Sequence, residues 1–260
     1  MAPMGTDQEG ITKASRQRCS SSGVSGVLMK AKSLEVKPRA AAARSMGQSK
    51  IRRFQDTLLR WFSKGQRTFA WRRRRTPYRV LVAELMLRRT QAVQVEPVFR
   101  RFLKRFPTMQ SLARARLASI RRELKPLGLE WRADNVVKLA REIQRRFRGR
   151  VPTDKGDLLS LPGVGPYVAG AVRCFALGQP EPLIDTNVVR VIGRFFGLSL
   201  QGEARRRKEM IEAATECVPR RRPADYHYAL LDFAAAVCTA RCPRCQNCPL
   251  RVRCDYYAGK

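Results

Sequence analysis

Two carboxylates, one glycine-rich turn and four cysteines carry most of the chemistry legible in this 260-residue chain. Asp185 stands directly before Thr186-Asn187 and a periodic apolar run, Val188, Val191, Ile192 and Phe195. An aspartate there either caps a helix or offers an anion to a reacting centre. Upstream, Leu161-Pro162-Gly163-Val164-Gly165 opens into a helical run from Pro166 to about Leu177, with Gly178 just past its end. Proline at the start and glycine at the end is the punctuation a helix uses. Backbone N–H groups at such a helix start suit a phosphate, though the same residues would serve an ordinary turn between helices. Glu84 interrupts an apolar stretch. Its spacing alone favours a solvated helix residue over a functional acid.

Cys238, Cys245, Cys248 and Cys254 read C-x6-C-x2-C-x5-C on a short loop with two prolines and four arginines. Four thiolates closing on one centre hold zinc or an iron–sulfur cluster, and the short spacings fit either. The wider outer gaps suit a larger, cuboidal cluster. The role is structural, because four thiolates leave no open position. Cys242 is a fifth cysteine outside the pattern, and Cys19, Cys174 and Cys217 read as inert thiols. Cysteines crowded in this way indicate metal ligation in a reducing compartment, not a disulfide framework.

The formal charge is +32, in a chain that is also 44% hydrophobic. A basic globular protein of this kind points to nucleic acid, where each neutralised phosphate releases counterions. No apolar run is long enough to span a bilayer, and the N-terminus has no secretory core segment. Residues 1 to about 48 hold 8 Lys/Arg and 3 Asp/Glu without a sustained apolar period, and read as a disordered basic arm. Translation starting at Met46, which would leave the arm unmade, is an equal alternative.

The elements that must position these groups are helical. Ile51, Phe54, Leu58, Trp61 and Phe62 have helical spacing. A loop through Trp71 and four arginines leads to a helix from about Arg79 to Arg89. Further amphipathic helices are expected at about 92–106, 109–114, 116–125, 132–147, 204–217 and 224–237. No stretch alternates like a strand, so the fold class is all-α.

The turn at 161–165, Asp185 twenty residues on and the cysteine spacing occur together in one family. Over residues 51 to 257 the chain resembles the helix-hairpin-helix DNA glycosylases of the endonuclease III/MutY group, which carry a 4Fe–4S cluster. The resemblance implies two lobes: a six-helix barrel over 76–185, and a cluster lobe from 49–75 and 186–260. Duplex DNA with a mismatched or damaged base would lie between them, its target nucleotide flipped out. Gly163, Val164 and Gly165 would hold a DNA phosphate through their backbone. Asp185 would be the catalytic carboxylate, stabilising positive charge on the sugar and orienting or deprotonating water. Strand-cutting members carry a lysine two residues after the second hairpin glycine. Here Tyr167 stands there and cannot form an imine, which implies a monofunctional enzyme; Lys155 is the nearby amine that would have to substitute.

Glu84, in Ala83-Glu84-Leu85-Met86-Leu87-Arg88-Arg89-Thr90, matches the glutamate that adenine glycosylases use as a general acid. Mig-type thymine glycosylases acting on T·G mismatches carry a glutamate and a tyrosine in these places too. Arg88-Arg89-Thr90 is Mig-like where adenine glycosylases have Gln-Gln-Thr. Asp185-Thr186-Asn187 replaces their Asp-Gly-Asn, and Leu129-Glu130 their tyrosine pair. The chain also ends six residues after Cys254, without the domain that reads 8-oxoguanine. These departures favour thymine or uracil opposite guanine; adenine opposite guanine or 8-oxoguanine is the alternative. A non-catalytic DNA-binding module is the alternative of another class.

Arg88 and Arg89 would read the orphaned guanine or touch phosphate, with Gln91 beside them on the DNA-facing side. Trp131 or Leu129 would fill the gap left by the flipped base, although Trp131 would equally serve as a cap on the core. His227, the sole histidine, is assigned no chemistry. A monomer in the cytoplasm, associated with the nucleoid of a bacterium or archaeon, completes the expectation.

Overall fold

A computed structural model of the protein describes residues 46–88 and 90–259. The arm, but for its last three positions, therefore lies outside the described residues, as does Arg89. Thirteen α-helices run through the described residues, with no strand among them. The first six are α1 (Gln48–Ser63), α2 (Ala70–Arg73), α3 (Pro77–Leu87), α4 (Ala92–Arg105), α5 (Met109–Ala113) and α6 (Leu117–Leu124). Then come α7 (Ala133–Phe147), α8 (Lys155–Leu159), α9 (Pro166–Ala171) and α10 (Thr186–Phe196). The last are α11 (Lys208–Glu216), α12 (Pro223–Ala236) and α13 (Asp255–Ala258). The all-α class read from periodicity is the class observed.

Local chemistry explains the boundaries. Thr76 caps α3 by accepting from the Arg79 N–H at 3.3 Å, with Pro77 at the first helical position. Thr108 and Ser111 form a reciprocal capping box on α5. At the end of α7, Arg148 and Gly149 both take positive φ (52° and 75°), and the Gly149 N–H donates back to the Ile143 carbonyl. Several short pieces escaped the periodicity, α8 and α13 among them. Ala70–Arg73 coils where a loop was expected, and the helix from Pro166 finishes as a π-turn over Val172–Ala176.

The first and last helices of the described residues pack into one group. The apolar face of α1 lies on α12, and α10 packs on α11, α12 and α13. Phe54 of α1 meets Phe195 of α10 at 4.8 Å and Tyr226 of α12 at 6.4 Å between ring centres. Lys50 joins Asp255 at 2.7 Å, binding the first helix to the last. The middle of the chain forms its own group: α3 on α4 and α9, and α5 and α6 on α7. The π-turn touches both α3 and α12, and so joins the two groups.

Candidate active site and DNA-facing turn

Glu84 sits on α3 where solvent does not reach. Val80, Leu81, Val82, Ala83 and Met86 are buried around it, and Glu84 itself is 7% exposed. The solvated reading of Glu84 fails because α3 is enclosed on nearly every side. Burial, joined by the negative charge of Asp185, raises its pKa to about 7, and Arg88 opposes the rise only in part. A carboxyl group there carries a proton for much of the time near neutrality.

Asp185 is the N-cap of α10. Its Oδ1 accepts from the Asn187 and Val188 N–H groups at 2.9 and 2.7 Å, and its Oδ2 accepts from Asn187 Nδ2 at 2.8 Å. The capping carboxylate is half-buried and close enough to Glu84 for its charge to raise the Glu84 pKa. Asn187 is held in turn by Arg190, whose Nη2 donates to Asn187 Oδ1 at 3.1 Å and whose Nε donates to the Cys238 carbonyl at 2.9 Å. One turn of α10 thus connects the carboxylate to the first cysteine of the C-terminal loop.

Tyr167, half-buried, completes the group. Burial and then the charges of Glu84 and Asp185 push its phenol well above the usual range, so it stays neutral. Lys155, the other amine considered, pairs through its Nζ with Glu181 Oε2 at 2.8 Å. Tyr228, which the sequence did not single out, faces the same cluster. Its ring stacks on Phe175 at 4.3 Å, the Arg72 guanidinium lies 4.4 Å over it, and burial and then Glu84 raise its pKa.

The glycine turn lies between α8 and α9. Leu161 and Val164 are buried and anchor it, and the Val164 N–H donates to the Leu161 carbonyl at 3.2 Å. Gly163 is exposed, with φ +75° and open space where a side chain would stand. Gly165 caps α9 ahead of Pro166 and is equally uncrowded. Among the described residues, neither glycine N–H donates to a backbone acceptor. Such a turn, followed by a helix start, meets the requirements of a phosphate site. Val164 can contribute only its backbone.

Arg88 Nη2 donates to the Gly163 carbonyl at 2.9 Å, bracing the turn against the end of α3. Gln91 is exposed and caps α4 through its backbone alone. Leu129 is buried, while Trp131, expected as either a gap-filler or a core cap, is 64% exposed and caps nothing.

The four cysteines of the repeat come together beside α10. Burial raises the Cys248 thiol to about 11, with further increments from Cys254, Cys238 and Cys245. Arg194 Nη1 approaches Cys238 Sγ at 3.5 Å. Burial also raises the Cys254 thiol, again with Cys238 and Cys245 adding to the rise, and thiols gathered beside a guanidinium are a donor set suited to a positive centre. Yet no three Cys, His, Asp or Glu side chains among the described residues close on a single ion. Cys174 and Cys217 are buried with thiols pushed up to about 12, mainly by burial.

Residues 82–220, which hold Glu84, the glycine turn, Tyr167 and Asp185, match the model of the HhH-GPD superfamily base excision DNA repair proteins. The chain belongs to this superfamily. Within it, the thymine/uracil-DNA glycosylase of Pyrobaculum aerophilum is 41% identical over 203 residues, covering 76% of this chain and 88% of that relative. An adenine DNA glycosylase of Buchnera aphidicola subsp. Schizaphis graminum is 30% identical over 209 residues, covering 80% of this chain and 60% of that relative. The solved structure of a thermostable thymine-DNA glycosylase superposes with a TM-score of 0.76 at 34% identity, over 82% of this chain and 98% of that one. The chain is a base-excision DNA glycosylase, a hydrolase of N-glycosyl bonds.

For an HhH-GPD glycosylase the buried histidine is also informative. His227 Nε2 lies 2.9 Å from the Glu181 carbonyl, and burial lowers its pKa to about 4. A neutral ring therefore holds the segment that leads into Asp185. No motif in the sequence announced this role. No helix among the described residues is long and apolar enough to cross a membrane.

Proposed function

We propose that this glycosylase removes thymine or uracil mispaired with guanine in duplex DNA, and that it does so without cutting the strand. The cluster of Glu84, Asp185 and neutral Tyr167, with no lysine at the position that would form an imine, supports hydrolysis without strand cutting, and the 41% identity to a thymine/uracil-DNA glycosylase is the observation that carries the choice of base. Asp185 stabilises the positive charge that grows on the sugar as the N-glycosyl bond breaks, and it aims the water that attacks C1′. Glu84, protonated near neutral pH, delivers a proton to the departing base. The water's hydroxyl goes to the sugar and a proton goes to the base, so the step balances as a hydrolysis.

The backbone at Gly163 and Gly165 holds a phosphate next to the flipped nucleotide. The middle helices and the helices from the two chain ends act as two lobes, the first over 76–185 and the second from 49–75 and 186–260, with DNA between them. The protein works as a monomer. Cys238, Cys245, Cys248 and Cys254 would hold a 4Fe–4S cluster, whose contribution is to fold the basic C-terminal loop against α10. Yellow-brown colour with four iron atoms per chain checks this, and a colourless zinc protein would refute it.

Adenine opposite guanine or 8-oxoguanine is the second reading, favoured by a carboxyl poised near pH 7, which suits protonation of a purine ring. Single-turnover base release on T·G, U·G, A·G and A·8-oxoguanine duplexes, with and without alkali, separates the two. Cleavage of T·G and U·G only after alkali is expected. Release from the adenine duplexes would make the second reading correct, and scission without alkali would overturn the monofunctional assignment. DNA binding with no release on any duplex would indicate a binding module.

A further inference from the structure

Asp185 is reached through a connection, residues 178–184, that is neither helix nor strand. Glu181, four positions before Asp185, fixes that connection in place. Its side chain is 12% exposed and meets two cations: Oε1 accepts from Arg173 Nε at 2.7 Å and Oε2 from Lys155 Nζ at 2.8 Å. Burial by itself would raise its pKa, and these two bonds instead hold it below the ordinary value, so it is charged at neutral pH. Its backbone carbonyl lies 2.9 Å from His227 Nε2 on α12. A carbonyl can only accept, so the neutral ring carries its proton on that nitrogen.

Arg173 also donates through Nη1 to the Thr153 carbonyl at 2.8 Å. Thr153 and Lys155 stand at the beginning of α8, and Arg173 stands in the π-turn that ends α9. These are the two open ends of the helical hairpin whose closed end is the glycine turn. One side chain therefore gathers both legs of the hairpin, while its main chain is moored to α12. Lys155 is half-exposed, so its pair contributes little, and Arg173 and His227 are the stronger arms. Gly170 of α9 makes room for the arrangement. A Cβ there would stand 3.1 Å from Leu183 Cδ2 and 3.7 Å from Glu181 Cβ, so the connection lies unusually close to the helix.

A flipped nucleotide is gripped by its phosphate and attacked at C1′, so the two sites must keep a fixed separation. We propose that Glu181 is a positioning residue for base release, setting the distance between the turn that holds the phosphate and the carboxylate that faces the sugar. Glu181 acts through Asp185 and the turn, and has no part in the bond changes. The inference rests on the roles given to Gly163, Gly165 and Asp185 under the proposed function, and adds the residue that keeps them in register.

The test uses the full chain and two readouts. The first is the maximal single-turnover rate at saturating enzyme, on whichever of the T·G, U·G, A·G and A·8-oxoguanine duplexes the wild type cleaves. The second is the dissociation constant of the same duplex with a 2′-fluoro analogue of the target nucleotide, which resists hydrolysis. Rates are referred to the folded fraction, measured by urea unfolding. Glu181→Gln keeps the volume and withdraws the charge. Its maximal rate is expected to fall by roughly 10- to 100-fold, the loss that a displacement of about 1 Å brings, with the dissociation constant unchanged because the turn itself is intact. Arg173→Ala should show the same split, and the double variant should lose less than the two separate losses combined, since both break one contact. Gly170→Val, which leaves every partner of Glu181 in place but crowds Leu183, should slow release in the same way. Glu142→Gln, which breaks an exposed pair with Arg145 on α7, should leave the rate alone. Glu181→Gln at the wild-type rate, or an equal loss of rate and binding, would overturn the inference and leave the glycosylase reading standing. A wild type that releases no base from any duplex would remove both.

Discussion

Asp232 on α12 and Glu84 on α3 are both buried carboxylates, 2% and 7% exposed, and the protein handles their charge in opposite ways. Burial by itself would raise the pKa of Asp232. Arg72, through paired hydrogen bonds at 2.8 and 2.9 Å, and Arg67, at 2.6 Å, instead hold it below the ordinary value. Glu84 has Asp185 as its neighbour and only a partial counterweight in Arg88, so its pKa rises. The first carboxylate is neutralised by cations and fixes the loop before α3 to α12. The second is left costly, and that cost keeps a proton on it near neutrality, which the proposed mechanism gives to the departing base. Buried charge serves the fold when paired and the chemistry when unpaired.

The contrast can be broken at three places. The largest effect is expected from Asp185→Asn. Asparagine caps a helix as well as aspartate does, so Tm should hold while base release falls by about a thousand-fold or more from loss of the transition-state anion. A stopped-flow or quench assay on the preferred mismatch reads this directly, and a matching fall in Tm would assign the residue to folding instead. Next, Asp232→Ala leaves Arg72 buried and unpaired. It should lower stability by about 3–5 kcal/mol, measured by urea unfolding, and a change under 1 kcal/mol would mean the pair is not the anchor described.

Glu84→Gln should do the reverse to stability. The native state keeps a proton on Glu84 that the unfolded chain releases between pH 4.5 and about 7, so wild-type stability falls as pH rises through that window. Removing the titration should flatten that slope and stabilise the variant at pH 8 by up to about 3 kcal/mol, while release falls by roughly 10²–10⁴-fold. In the wild type, release should decline above about pH 7 as Glu84 loses its proton. An unchanged pH profile in Glu84→Gln would count against the proton-donor role.

Much of this site was legible from residue order. Proline and glycine punctuation located α9, and the aspartate before an apolar period located the cap of α10. Four cysteines at fixed spacing announced their own convergence. Glu84 was harder, because a carboxylate in an apolar stretch reads as solvated until the helices around it are known. Asp232 meets Arg72 across 160 residues, and no local pattern encodes such a pairing. Leu129 and Trp131 are two residues apart, and only the short 3-10 turn over Glu130–Arg132 decides which one faces inward. Tyr228 sat in an apolar helix with nothing to distinguish it from packing.

The meeting of α1 with α10 and α12 has a consequence in time. Ile51, Phe54, Leu58 and Phe62 are buried in the folded protein, but Tyr226, one of the partners of Phe54, leaves the ribosome much later. At about 5–20 residues per second the first helix waits on the order of ten to thirty seconds for that partner. During that interval its oily stripe has no home in its own chain, whereas α3 to α9 already have one another. The newborn protein therefore matures from the middle outwards, and the catalytic centre, which needs both α3 and the start of α10, is assembled only near the end of synthesis. A chaperone that shields amphipathic segments would find its target in α1, long before any activity exists.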